Sequence, residues 1–280
     1  MSSTIVVGVT GGSATSRAAD WAVARAVVTG QSVQLLGVVG GAIGAVGEGP
    51  IIESAMAATQ ELLDAEAARH AGSGVSISTR VAVGDPVAAL IGASKDAALL
   101  VLGSDYRGEG SGPARGSHGI RIVAASSCPV AVVPDMDLGD RHSVVVGVDG
   151  SPVSDAAIAF AAAEADRLGE PLIAVCVWTP VASPRHSPMV FPEQYRASMN
   201  ELSRETLAVA LESVREQYPN LEIDERVAEG YPSTIINHLA SEARLAVVGS
   251  RGRGAVRRFL LGSISHEVLQ RLATVTAVVR

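Results

Sequence analysis

The chain repeats itself, and the repeat limits what it can fold into. The segment Ile5-Val-Val-Gly-Val-Thr-Gly-Gly-Ser13 returns as Val144-Val-Val-Gly-Val-Asp-Gly-Ser151, with Gly8 falling on Gly147 at an offset of 139 residues. Further along, Gly84-Asp-Pro86 meets Gly230-Tyr-Pro232 at an offset of 146. That second offset also carries Gly103-Ser104 onto Gly249-Ser250, Gly116-Ser117 onto Gly262-Ser263, and Val132-Val133 onto Val278-Val279. A constant shift held over so many positions marks a duplication. The seven extra residues in the second offset belong to loops between the first strand and the Gly-x-Pro. Two domains are expected, 1–134 and 142–280. The polar stretch Pro134-Asp-Met-Asp-Leu-Gly-Asp-Arg141 links them, and 280 residues suit two domains of ordinary size.

Each copy alternates short apolar runs with helical periodicity. In the second copy a strand over Ser143–Val148 is followed by Ser151-Pro152, a capping serine and a proline fit for the first helical position. Ala157, Phe160, Ala161 and Leu168 mark the inner face of that helix, and Gly169 stops it. A strand over Leu172–Val177 and a long helix from Glu193 to Gln217 follow. Then come a strand at Ile223–Val227, a helix from Pro232, a strand at Leu245–Val248, a helix from Ser263, and a last strand ending at Val279. Apolar strands without alternation, each separated by a helix, imply a parallel sheet covered on both faces. The expected fold class is α/β: two tandem open parallel five-stranded sheets with helices on both faces. Ligands of such sheets lie at the carboxyl ends of the strands, where the strand order reverses.

Composition narrows the function. A net charge of −7 weighs against a nucleic-acid partner, because binding a phosphate backbone requires basic surface. Mean hydropathy is positive, yet no apolar run approaches the roughly 20 residues of a spanning helix. The N-terminus enters a strand at Ile5 with no basic region before it, so it does not read as a signal peptide. Cys128 and Cys176 lie far apart in apolar surroundings without metal-ligand spacing, and read as reduced thiols of a cytoplasmic protein.

The chemistry-bearing segment of the second copy is Gly249-Ser-Arg-Gly252-Arg-Gly-Ala-Val-Arg-Arg-Phe-Leu-Leu-Gly262-Ser263. Gly249 and Gly252 are expected to adopt positive φ and let the backbone approach a ligand. Gly262 and Ser263 open a helix whose free amides and dipole favour an anion. The Ser263 hydroxyl can cap that helix or bind a phosphate oxygen. Arg251 and Arg253 offer positive charge in the loop. Asp149, at the end of the first strand, can accept a ribose hydroxyl or help hold a divalent metal.

These residues resemble the universal stress protein family, whose ATP-binding members carry Gly, two residues, Gly, nine residues, Gly, then Ser or Thr. Gly249, Gly252, Gly262 and Ser263 fit that spacing without a gap, and Gly230-Tyr-Pro232 fits the family's Gly-x-Pro. The resemblance implies ATP with Mg as the ligand, Asp149 at the ribose or the metal, Val177 beside the adenine, and Ser265 joining Ser263 near the phosphates. The nucleotide-contacting set is then Gly147, Asp149, Val177, Gly249, Arg251, Gly252, Gly262, Ser263 and Ser265, with Gly8, Gly103, Gly116 and Ser117 as first-copy counterparts. It also implies that the last strands of the two copies, at sheet edges, pair about a pseudo-twofold axis. A homodimer is a further possibility of the family.

The first copy departs from the pattern: Tyr106 replaces the second glycine and Thr10 replaces the acid. The tyrosine should crowd a phosphate, and the lost carboxylate removes a contact worth about 1–2 kcal/mol. The first site is therefore expected to bind weakly or to be structural. No P-loop, dinucleotide fingerprint or Gly-x-Ser-x-Gly elbow is present. No acid–base pair poised for turnover is evident, which leaves at most slow ATP hydrolysis. The function expected is a nucleotide-dependent regulator of a stress or dormancy response, acting on a protein partner the sequence does not identify. A nucleotidyl transferase or electron carrier of the same fold group, and a scaffold holding ATP or cyclic AMP as a structural ligand, are the competing readings.

Overall fold

The computed structural model describes residues 3–41, 48–106, 117–180, 192–252 and 261–280. The chain divides into two compact units, Met1–Asp137 and Leu138–Arg280.

In the first unit the elements are β1 (Thr4–Val9), α1 (Ser13–Thr29), β2 (Ser32–Val39), α2 (Gly49–Arg69), β3 (Ile77–Val83), α3 (Pro86–Ala93), β4 (Leu99–Ser104), α4 (Ser117–Ala125) and β5 (Val130–Pro134). The strands run parallel in the order β3-β2-β1-β4-β5. The second unit follows the same plan. It comprises β6 (Val144–Val148), α5 (Pro152–Leu168), β7 (Leu172–Trp178), α6 (Glu193–Gln217), β8 (Ile223–Glu229), α7 (Pro232–Ala240), β9 (Leu245–Gly249), α8 (Ser263–Arg271) and β10 (Val275–Val279). Its strands are parallel in the order β8-β7-β6-β9-β10.

Right-handed crossovers explain how the helices sort themselves. The chain moves from β6 through α5 to β7 in one direction and from β8 through α7 to β9 in the other. This puts α5 and α6 together on one face, and α7 and α8 together on the opposite face. Both sheet faces are thus covered, and the strands are apolar throughout: Val144, Val145 and Val146 are fully buried.

Small residues let the helices sit close to the sheet. Along α1 the buried stripe is Thr15, Ala18, Ala19, Ala22, Val23 and Ala26, and along α5 it includes Ala157, Ile158, Ala161, Ala162 and Ala165. The inner face of α5 therefore differs from the sequence expectation at two places, because Phe160 and Leu168 are only half-buried while Ile158 and Ala162 fill the core. The helix limits follow local chemistry. Ser151 caps α5 by accepting the Ser154 amide at 3.2 Å, Pro152 is its first residue, and Gly169 ends it in the left-handed region at φ 66°. Gly30 ends α1 with the same φ.

Candidate functional site

In the second unit the strand order reverses between β6 and β9, and the residues leaving those two strands meet at the carboxyl edge. The turn after β6 is pinned at several points. The Asp149 amide donates to Ser154 Oγ at 3.2 Å, and Asp149 Oδ1 accepts the Ser151 amide at 2.9 Å. Gly150 between them has φ 72°, a conformation a side chain would strain. The carboxylate is therefore held against its own turn.

The segment after β9 is tied down from both sides. The Ser250 amide donates to the Val279 carbonyl at 2.6 Å, and the Ser250 carbonyl accepts the Gly262 amide at 2.8 Å. Ser265 is buried, and its hydroxyl donates to the Gly249 carbonyl at 2.5 Å. These bonds fix the start of α8 beside residues 249–252. Gly262 is the N-cap of α8 with extended dihedrals, and among the described residues no side chain caps the helix. Ser263 is its first residue and is exposed. Of the two uses open to the Ser263 hydroxyl, capping is thus not the one adopted. The Ser250 hydroxyl is buried and has no hydrogen-bond partner among the described residues. Native proteins rarely leave such a group unmade without a reason.

The glycines do different work from that expected. Gly249, Gly252 and Gly262 are not among the positive-φ glycines; the strained turn is at Gly150, and in the first unit at Gly11 and Gly12. Close packing explains several of them instead. A Cβ on Gly147 would stand 2.8 Å from Ile236 Cδ1 of α7, and one on Gly8 would stand 3.2 Å from Leu90 Cδ2 of α3. Both places are closely packed, and the Gly8 position is also met by Leu102 Cδ2 of β4 at 3.1 Å. A Cβ on Gly103 would stand 2.4 Å from the Ala14 carbonyl oxygen, and one on Gly249 3.1 Å from Val153 Cγ1, so both strands end beneath a helix start. Gly252 is the exception: its Cβ would stand 2.5 Å from Asp149 Oδ2. Residues 253–260, with Arg253, lie outside the described residues, as does Gly116; of Ser117 only its place as the first residue of α4 is described.

A cavity of about 880 Å³ opens at this edge between α5 and α6. Asp149, Gly150, Val177 and Trp178 line it at the strand ends; Asp155, Ile158 and Ala159 line it from α5, and Met199, Leu202 and Val209 from α6. It joins Asp149 and Val177, two of the residues picked out by the sequence. Its charged lining among the described residues is acidic: Asp149, Asp155 and Glu205. The cavity wall therefore suits uncharged or hydrogen-bond-donating groups, while the amides at the start of α8 suit an anion. Nothing in the sequence announced the share of α6, whose groove-facing side mixes Leu202 and Val209 with Ser203, Thr206 and Ser213.

At the matching edge of the first unit, the Thr10 amide donates to Thr15 Oγ1 at 3.2 Å, as the Asp149 amide does to Ser154. The Thr10 side chain brings no carboxylate. Tyr106, which follows β4, is buried.

The Universal stress protein family model matches residues 1–134 and again 141–280. The chain belongs to the universal stress protein family. A universal stress protein of Mycolicibacterium smegmatis is 30% identical over 293 residues, which cover 99% of this chain and 96% of that protein. One from Mycobacterium tuberculosis is 34% identical over 199 residues, 70% of this chain and 66% of its own length. Among solved structures, a universal stress protein from Archaeoglobus fulgidus covers 99% of this chain and 98% of its own, with a TM-score of 0.74 and 21% identity. That likeness concerns the fold. Both units of this universal stress protein are thus family domains, and among the described residues no helix is long and apolar enough to cross a membrane.

Proposed function

We propose that the C-terminal unit of this universal stress protein binds an adenine nucleotide, ATP with Mg²⁺. In this reading the bound nucleotide sets how the chain engages a regulatory partner in a stress or dormancy response. The observation that carries the reading is the convergence at one edge of three features with different chemistry. They are the pinned Asp149 carboxylate, the cavity it shares with Val177, and the start of α8 beside the buried Ser250 hydroxyl, the helix start uncapped and the hydroxyl unpartnered among the described residues. The acidic cavity suits the nucleoside, whose amine and ribose hydroxyls donate hydrogen bonds. The α8 amides, with Arg251 nearby, suit the phosphates.

The donor set also fits the metal. Mg²⁺ is held by one or two carboxylates together with water and phosphate oxygens, and Asp149 offers such a carboxylate. When bound, the ion would neutralise phosphate charge. Asp149 would hold it or the ribose, and Gly262 and Ser263 would present backbone amides to the phosphates. The N-terminal unit, with Thr10 and Tyr106 at the corresponding places, is assigned no tight nucleotide site.

Titration calorimetry with ATP, ADP and cyclic AMP tests the reading, alongside mass spectrometry of whatever nucleotide co-purifies. One ATP per chain is expected, with Asp149→Ala weakening it about tenfold, the loss of one charge-assisted hydrogen bond. A wild-type protein that takes up none of the three nucleotides overturns it.

A further inference from the structure

Gly252 is exposed, at φ outside the left-handed region, so neither its burial nor its backbone conformation demands a glycine there. Among the described residues its one close constraint is the Asp149 carboxylate, whose Oδ2 would be 2.5 Å from an added Cβ. A real Cβ is not found so near an oxygen, so a side chain at position 252 requires a shift, either of that carboxylate, the movable end of its side chain, or of the backbone at 252. The other carboxylate oxygen, Oδ1, accepts the Ser151 amide at 2.9 Å. Rotating the carboxylate out of its place therefore breaks the bond that pins it to the start of α5.

The two copies change at both positions together. Where the second unit has Asp149 with Gly252, the first has Thr10 with Tyr106, each at the matching offset. Without a carboxylate after β1, the place after β4 is free to take a side chain, and Tyr106 is buried.

We infer that Gly252 is a positioning residue acting through Asp149: the bare backbone at 252 and the carboxylate at 149 work as one unit. The first copy's Thr10 and Tyr106 are then one paired change. This goes beyond a close approach of backbone to phosphate, because it routes the effect of residue 252 through the acid. Its binding arm rests on the nucleotide reading; its geometric arm does not.

The test is a double-mutant cycle on the full chain with Gly252→Ala, Asp149→Ala and both together. Hydrogen exchange at the Ser151 amide, measured without nucleotide, reports the geometry. Gly252→Ala should speed exchange at Ser151 roughly tenfold in the wild-type background, as expected for one lost hydrogen bond. It should add nothing once Asp149 is gone. With ATP as the probe, each single variant should weaken binding about tenfold, and the double variant no more than either single one. Unchanged exchange at Ser151 in Gly252→Ala overturns the inference, and so do binding losses that multiply to about a hundredfold in the double variant. If the wild type binds no ATP, the nucleotide reading fails, and the exchange arm still decides the role of Gly252 by itself.

Discussion

The two units share a frame and differ in what they build on it. Strand order, the 17-residue helices α1 and α5, the left-handed glycines ending them, and the amide-to-hydroxyl bond after the first strand are common to both. The divergence is clearest between the paired helices on one face. In the second unit α5 and α6 flank a cavity of about 880 Å³, with Asp155 and Ala159 on its wall. Their counterparts at the 139 offset, Ser16 and Asp20, face α2 in the first unit and bind across to it. Ser16 donates to Glu66 Oε2 at 3.0 Å, and Arg69 pairs with both Glu66 and Asp20. His70 Nε2 stands 3.4 Å from Asp20 and 3.6 Å from Glu66. Burial works against the Arg69 charge, but Glu66 and Asp20 outweigh it and hold its pKa above the ordinary value. One copy laces its helices together where the other leaves room. A duplicated fold can keep every strand and still divide its work through a handful of side chains.

The sharpest way to break this comparison is to attack the start of α8. A Cβ on Gly262 would already stand 3.3 Å from the Arg251 Cα, and Gly262→Glu adds bulk and negative charge where the amides favour an anion. A loss of ATP affinity of about a hundredfold or more is expected, the sum of a steric block and charge repulsion. Calorimetry should show all binding gone and no residual site from the first unit. If half the sites survive, the first unit binds too and the division of labour is wrong. Comparing partner capture by wild type and Gly262→Glu then separates a nucleotide-controlled regulator from a scaffold.

The reverse experiment rebuilds the first site. Thr10→Asp with Tyr106→Gly should raise the stoichiometry above one ATP per chain, and neither change alone should do so. Tyr106 is buried, so its removal also costs stability, about 3 kcal/mol for a buried aromatic. Circular dichroism must accompany the titration. A second site gained by Thr10→Asp alone would mean that Tyr106 is not in the way.

Much of this architecture was written locally. The repeat, the Ser151-Pro152 start and Gly169 stop of α5, and the limits of α6 at Glu193 and Gln217 depend on neighbours in sequence, and the structure has them in place. The work of the glycines was harder to read, because a missing side chain looks the same whether it makes room for a ligand, a helix or a carboxylate. Gly8 and Gly147 answer to Leu90 and Ile236, Gly103 to Ala14, and Gly252 to Asp149, all contacts between residues distant in the chain. The positive φ went to Gly150, in the turn that holds the acid, and not to Gly249 or Gly252. The cavity was out of reach for the same reason, since it exists only once α6 lies beside α5.

Cutting the lacing of the first unit is a smaller test. Glu66 is buried and bridges Ser16 and Arg69. Glu66→Ala should cost about 1–2 kcal/mol, a figure kept low because the Arg69 side chain is 44% exposed and solvent screens the pair. Thermal unfolding reads the loss, and ATP affinity should stay unchanged. A fall in affinity would mean that the laced helices support the nucleotide site after all.

The smallest expected effect concerns the helix starts. Ser151 caps α5 with its hydroxyl, whereas Gly12 precedes α1 with no side-chain cap and a φ of 82°. Ser151→Ala therefore removes a bond from the second unit that the first never had, at a cost of about 1 kcal/mol. Hydrogen exchange should speed at the Ser154 amide, which donates to that hydroxyl, and stay unchanged at the Ser16 amide, which donates to the Gly12 carbonyl. Because the Asp149 amide bonds to Ser154 Oγ and not to Ser151, the turn should keep its acid in place, and ATP affinity should fall less than threefold. A loss as large as that of Asp149→Ala would show that the cap, and not only Gly252, positions the carboxylate.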